Sequence, residues 1–168
     1  RLKRSQEIAH LGSWELDLAN DRLTWSDEVY RIFGLEPQEF GATYEAFLER
    51  VHPDDRPKVH AAYSHSLAHS QDTYEIEHRV VRKSTGEIRF VHEKCEHVRD
   101  ATGRIVRSVG MVHDITERKL AEQALLEANK EMRQWAARLE SIVNNMPEGV
   151  AIVDEDGKVT IANRSLEQ

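Results

Sequence analysis

The sequence predicts an α+β domain: a five-stranded antiparallel sheet with short helices on one face, followed by one long coiled-coil helix. Three observations carry this. Apolar and polar residues alternate on both sides of an Asn-Asp turn between Gly12 and Trp25, the period of a half-buried hairpin. Three β-rich runs between Tyr74 and Ile115 are joined by turns containing Thr-Gly. The stretch between these two regions has helical spacing, and strands grouped apart from helices mark the α+β class.

Residues 1–11 place Leu2, Ile8, Ala9 and Leu11 among charges, which reads as the end of an incoming helix. In GSWELDL, Trp14, Leu16 and Leu18 share one face; Asn20 and Asp21 turn the chain, and RLTW starts the second strand. SDEVYRIFG then has Ser26 as an N-cap candidate, two acids in the first turn, an apolar face of Val29, Ile32 and Phe33, and a stop at Gly34. The segment from Thr43 to Ser70 reads as two helices broken at His52-Pro53, because proline pushes its predecessor out of helical geometry, with Asp54 or Asp55 free to cap the second helix. YEIEHRVVR, IRFVHEKCEHVR and IVRSVGMVHDI, joined by KSTGE and DATGR, complete the sheet as a meander.

From Ala121 the apolar positions Ala121, Leu125, Ala128, Met132, Trp135, Leu139, Ile142 and Met146 recur at spacings of four and three. A stripe of two residues per heptad is narrower than a core-facing helix needs and favours a left-handed coiled coil, most simply a parallel homodimer; a helix folded back on its own domain is the alternative. Pro147 and Gly149 end the stripe, and GVAIVDEDGKVTIANRSLEQ repeats the first hairpin. Setting Gly149 on Gly12 brings Asp154 onto Asp17 and Asn163 beside Ser26, with a turn one residue shorter. The expected organisation is an incoming helix end (1–11), a complete domain (12–116), a coiled-coil helix (117–146) and the start of a second domain of the same kind (147–168).

The chain has 168 residues, 23 Lys plus Arg against 30 Asp plus Glu, and a formal charge of −7 with no basic block, which argues against nucleic-acid or anionic-membrane partners. Its single cysteine, Cys95, cannot form an internal disulfide, and no apolar run approaches the ~20 residues of a membrane span; a reducing, cytoplasmic setting is expected. A first residue of Arg1 suggests an excised piece of a larger protein, whose own anchoring stays open.

Four motifs in this order resemble the PAS sensor family, in the subclass with a PAC motif. They are IAHLGSWELDL with LTWSDEVYRIFG, VHPDDR, STGEIRFV with DATGRIVRSVG, and Asp-Ile-Thr at 114–116. The resemblance implies a cup that can enclose a small molecule, dimerisation, and a signal passed through the helix after Thr116. It also implies an output domain downstream in the same chain, a histidine kinase or a cyclic-dinucleotide enzyme. The readings kept open are a sensory and dimerisation module, a scaffold that binds no ligand, and a haem sensor.

For a ligand, the candidate wall is Trp25, Tyr30, Phe33, Phe47, Tyr63 and Phe90, with His78 as a polar group on the strand face of Ile76 and Val80. The same aromatics would serve equally as core filling. His60, at the border of the apolar helix face, is the haem candidate, because haem-binding members resemble this chain in using a histidine of that helix. His65 and His69 have a metal-compatible spacing but no third ligand, so no metal site is expected. Cys95 lies in HEKCEH on a strand, unlike the helical Asn-Cys-Arg of the family's flavin sensors, and shares a face with His97. No phosphate loop, nucleophile elbow or kinase signature is present, so the fragment is read as non-catalytic, with no bound cofactor expected. In the relay, Asp114 is expected to tie the strand end and Thr116 to act as the helix N-cap.

Overall fold

The computed structural model describes residues 9–37, 39, 43–69, 71–163 and 165. It divides into two compact units, Arg1–Lys119 and Leu120–Gln168. In the first, a five-stranded antiparallel sheet has the order β2-β1-β5-β4-β3. The strands are β1 (Leu11–Asp17), β2 (Arg22–Trp25), β3 (Thr73–Val81), β4 (Ile88–Arg99) and β5 (Ile105–Asp114). The helices α1 (Asp27–Ile32), α2 (Tyr44–Arg50) and α3 (Arg56–Ala68) lie between β2 and β3 in sequence. The long helix α4 (Thr116–Asn144) follows β5 directly, and β6 (Ala151–Val153) and β7 (Val159–Ala162) form a separate antiparallel pair. Of the expected incoming helix, residues 1–8 lie outside the described residues, residues 9–10 form a turn, and Leu11 already belongs to β1.

Alternation sets the inner face. Trp14, Leu16, Leu23, Trp25, Ile76, Val80, Val91 and Val112 are buried from the sheet, and Val29, Phe33, Phe47, Val59 and Tyr63 meet them from the helices. Gly110 makes this packing possible on β5. It pairs with Trp14 on one side and Cys95 on the other, and a Cβ there would stand 2.6 Å from the Trp14 ring and 2.6 Å from the Lys94 carbonyl.

Two expected caps hold the expected positions but do other work. Ser26 precedes α1 in extended geometry, yet its side chain caps nothing; its Oγ accepts from the Ser13 N–H at 3.0 Å and closes the first hairpin. Asp55 precedes α3 without capping it. Its carboxylate instead takes Arg79 through the backbone N–H at 2.8 Å and the guanidinium at 2.6 and 3.0 Å, tying the helix start to β3. That pairing holds the Asp55 carboxyl at about 2, below its ordinary value of 3.8.

Candidate functional site: the aromatic interior and the helix junction

Four of the expected wall residues, Trp25, Phe33, Phe47 and Tyr63, surround one small void. Tyr30 is buried but packs edge-on against Trp25 at 5.2 Å, outside the lining. His78 is buried too, engaged with Glu93 at 3.1 Å (Nε2 to Oε2) and set edge-on to Phe47 rather than facing the void. Phe90 corrects the sequence reading outright. The buried face of β4 is Val91, Glu93, Cys95 and His97, so Phe90 points to the opposite, outer side and is only half-buried. The sequence reading missed Trp14, Tyr44, Tyr74 and Glu93, all of which line the void. Trp14 Nε1 is buried and has no hydrogen-bond partner among the described residues.

The space accessible to the centre of a water molecule is about 20 Å³. That is room for about one water, far below the several hundred Å³ of a cofactor pocket. His60 is exposed, with Nδ1 3.4 Å from the Tyr44 hydroxyl and Nε2 3.5 Å from Ser64 Oγ, and takes no part in the lining. Haem therefore does not fit these residues. His65 and His69 stack on each other at 3.9 Å on the solvent side of α3, and among the described residues no cluster of three metal-ligating side chains occurs.

Beside the void runs a closed polar chain. The Tyr63 hydroxyl lies 3.0 Å from Ser108 Oγ, and Ser108 Oγ lies 2.8 Å from His97 Nδ1. His97 Nε2 lies 2.9 Å from Ser66 Oγ, which donates to the Tyr63 carbonyl at 2.7 Å. Because the Ser66 proton is committed to that carbonyl, its oxygen accepts from His97 Nε2–H, and Nδ1 accepts from Ser108. His97 is thus held neutral, and burial, then Arg99, lowers its pKa in the same direction. The apparent Ser-His pair is consumed in structural bonds. Cys95, with Sγ 3.9 Å from His97 Nδ1, is fully buried, and burial followed by the Glu93 charge pushes its thiol up to about 12. A thiol kept protonated is a poor nucleophile.

The strand-to-helix junction is built from side chains. Asp114 Oδ1 accepts from the Thr116 backbone N–H at 2.9 Å and from its hydroxyl, while Oδ2 meets Arg89 at 3.2 Å. Thr116 Oγ1 accepts from the Phe90 N–H at 2.9 Å, so Thr116 fastens the helix start to β4. It is not the N-cap. Ile115, whose carbonyl accepts the Lys119 N–H at 3.0 Å, holds that place, and Asp114 supplies the capping carboxylate one residue earlier. Glu77 on β3 binds Arg118 at 2.8 Å and Lys119 at 2.5 Å. These two cations stand at the positive end of the helix dipole, where an added carboxylate offsets them.

Beyond the junction the heptad positions are bare. Leu125, Met132 and Trp135 are 65, 64 and 63% exposed, and Ala121, Ala128, Leu139 and Ile142 are exposed as well. Among the described residues no helix is long and apolar enough to cross a membrane.

An antiparallel sheet in this strand order, with helices over one face and a helix leaving its last strand, defines a small α+β module of the sensor type. The chain belongs to the PAS family: residues 22–112 match the family model described as PAS fold, and residues 137–168 match a second, described as PAS domain. Sensor protein FixL of Bradyrhizobium diazoefficiens is 28% identical over 158 residues, which is 94% of this chain and 29% of that protein. A blue-light-activated histidine kinase of Brucella anthropi is 30% identical over 142 residues, covering 82% of this chain and 28% of the relative. Among solved structures, a sensory box histidine kinase/response regulator from Burkholderia thailandensis aligns at 31% identity with a TM-score of 0.64, covering 80% of this chain and 98% of that one. The chain spans between 12% and 29% of the length of the first curated relatives it matches.

Proposed function

We propose that this chain is the sensory and dimerisation module of a cytoplasmic signal-transduction protein. In this reading residues 12–116 are the PAS domain, 117–146 form a coiled-coil relay helix, and 147–168 begin a second PAS domain. The output domain lies further along the parent chain and is a histidine kinase or a diguanylate cyclase, the activities named for the relatives. The carrying observation is an exposed a/d stripe on a helix whose first turn is bound to the sheet by Asp114, Thr116 and Glu77. A signal that shifts the sheet between two states would bias the register or rotation of paired helices, with no flexible linker in which it could dissipate.

The seam is tested by light scattering on the whole chain. The expected result is a dimer at tens of micromolar, converted to monomer by L125K with M132K at unchanged sheet circular dichroism, since both side chains are exposed. A wild-type chain that stays monomeric at high micromolar concentration overturns the coiled coil. A scaffold that binds no ligand is the second reading, favoured by the void of about 20 Å³. Native mass spectrometry separates the two: a retained small molecule supports sensing in this domain, and its absence across expression hosts supports scaffolding.

A further inference from the structure

We propose that Asn163 is the positioning residue that ties the end of α4 to the second hairpin, so that the state of the helix end sets how β6 begins. Asn163 is fully buried in a unit whose other side chains are mostly exposed. Its Oδ1 accepts the Val150 N–H at 2.8 Å, and its own N–H donates to the Val150 carbonyl at 3.0 Å. Its Nδ2 donates to the Val143 carbonyl at 3.1 Å and to the Glu148 carbonyl at 2.8 Å. Val143 lies in the last turn of α4, where carbonyls lack the usual amide four residues on; its other bond here is from the Met146 N–H at 3.3 Å. One amide therefore grips the helix end, the connecting turn and the first residue before β6 together.

The chemistry requires an amide. Two carbonyls need two protons and one N–H needs an acceptor, a set that asparagine supplies and that serine or aspartate cannot. The matching residue of the first hairpin shows the difference. Ser26 exchanges the same pair of bonds with Ser13, its Oγ accepting the Ser13 N–H and its N–H donating to the Ser13 carbonyl, and it takes no helix carbonyl. One extra donor of Asn163 is directed to the end of α4 and the other to the connecting turn. Ser165 adds to the hold, its hydroxyl donating to the Met146 carbonyl at 2.9 Å.

This inference deepens the reading of α4 as a relay helix, and its test is independent of the dimer measured by light scattering. Amide hydrogen exchange is followed in the whole chain for wild type, N163S, S141G and the double variant. N163S keeps an acceptor for Val150 and loses both amide donors, leaving one shorter hydroxyl for two carbonyls, so exchange at Met146 and along β6 and β7 should rise together by about tenfold, with the β1 amides unchanged. S141G loosens the helix end; it should raise exchange in β6 and β7 in the wild-type background and add nothing in the N163S background. The proposal is overturned if S141G leaves the wild-type hairpin unchanged, or if it raises hairpin exchange equally in both backgrounds. A rise confined to Met146 in N163S would also overturn it, since Asn163 would then be a helix cap and nothing more.

Discussion

The first and second hairpins share one hydrogen-bonding plan and reverse which face is apolar. A single constant offset carries Trp14↔Trp25 onto Ala151↔Ala162 and Ser26 onto Asn163, but further in Leu16↔Leu23 gives way to Val153↔Val159, so the second turn is one residue shorter, as the sequence predicts. A register shift between Ile152 and Val153 makes up the missing residue. In the first hairpin the Trp14 and Trp25 face is buried, and Glu15 and Thr24 face outward. In the second, the equivalents of the two tryptophans are alanines, and the apolar pair Ile152↔Ile161 occupies the other face, lining a groove with Leu139 and Val143 of α4. A hairpin's shape is thus set by its anchors at each end, and its sidedness by whatever supplies the core. The apolar pattern alone would align the second hairpin one residue out of register with the first.

The largest expected effect separates the two by burial. Phe33→Ala, at a fully buried aromatic, should cost the first unit about 3 to 5 kcal/mol in urea unfolding. Ile161→Ala, at a residue 52% exposed, should cost the second hairpin less than about 1 kcal/mol and leave the first unit's transition where it was. Comparable losses at the two sites would mean that the second hairpin has a core as complete as the first.

Acid should separate them next. The Asp55 carboxyl stands at about 2 in the folded chain because Arg79 binds it, against 3.8 when free. A depressed carboxylate gives stability that is present above about 3.8 and is lost as the pH falls towards about 2. The first unit should therefore weaken over that window, and D55N, less stable at neutral pH, should lose that part of the slope. An unchanged slope in D55N would assign the acid sensitivity to other carboxylates. Asp17 is also lowered, by bonds from the Asn20 side chain and backbone, and D17N with D55N resolves the two contributions.

The sheet was legible in the sequence because its signals were local. RLTW and IRFVHEKCEHVR coincide with β2 and β4, and Pro53 marked the break between α2 and α3. The site was less legible because its logic is not local. The inner face of β4 carries Glu93, Cys95 and His97 where periodicity looks for hydrocarbon, so Phe90 drew the assignment to the wrong face. Tyr44 and Tyr74 stand at the starts of α2 and β3, where periodicity says least about which way a side chain faces, and burial raises the pKa of both hydroxyls. Ser26, Asp55 and Thr116 were placed correctly at helix starts, but their side chains are claimed by Ser13, Arg79 and Phe90, partners that no window of sequence brings together. Asn163 had a visible signal, its alignment with Ser26; the two extra carbonyls it holds were beyond that alignment.

The smallest predicted effect tests whether the shared plan is real. Asp17 Oδ1 accepts the Ala19 and Asn20 N–H groups at 2.9 and 3.2 Å, and Asp154 Oδ1 accepts those of Asp156 and Lys158 at 3.1 and 2.8 Å. Each carboxylate folds the start of its turn, the work of an Asx turn. The turns then diverge, the second being one residue shorter: a left-handed backbone falls on Asp21 in the first, φ 47°, and on Gly157 in the second, φ 79°. Glycine adopts that conformation without the Cβ penalty, so Asp21→Gly should stabilise the first hairpin by about 0.5 to 1 kcal/mol, and Gly157→Ala should destabilise the second by about the same. Asp17→Ala and Asp154→Ala should each speed exchange at the turn amides they hold, because each removes two carboxylate bonds to backbone N–H groups; Asp17 also loses the bond from Asn20 Nδ2 at 2.8 Å. Exchange rates at the turn amides are the measurement suited to differences of this size. A response to Asp17→Ala weaker than that to Asp154→Ala would show that burial of the first hairpin, and not its turn, holds the Asp17 geometry in place.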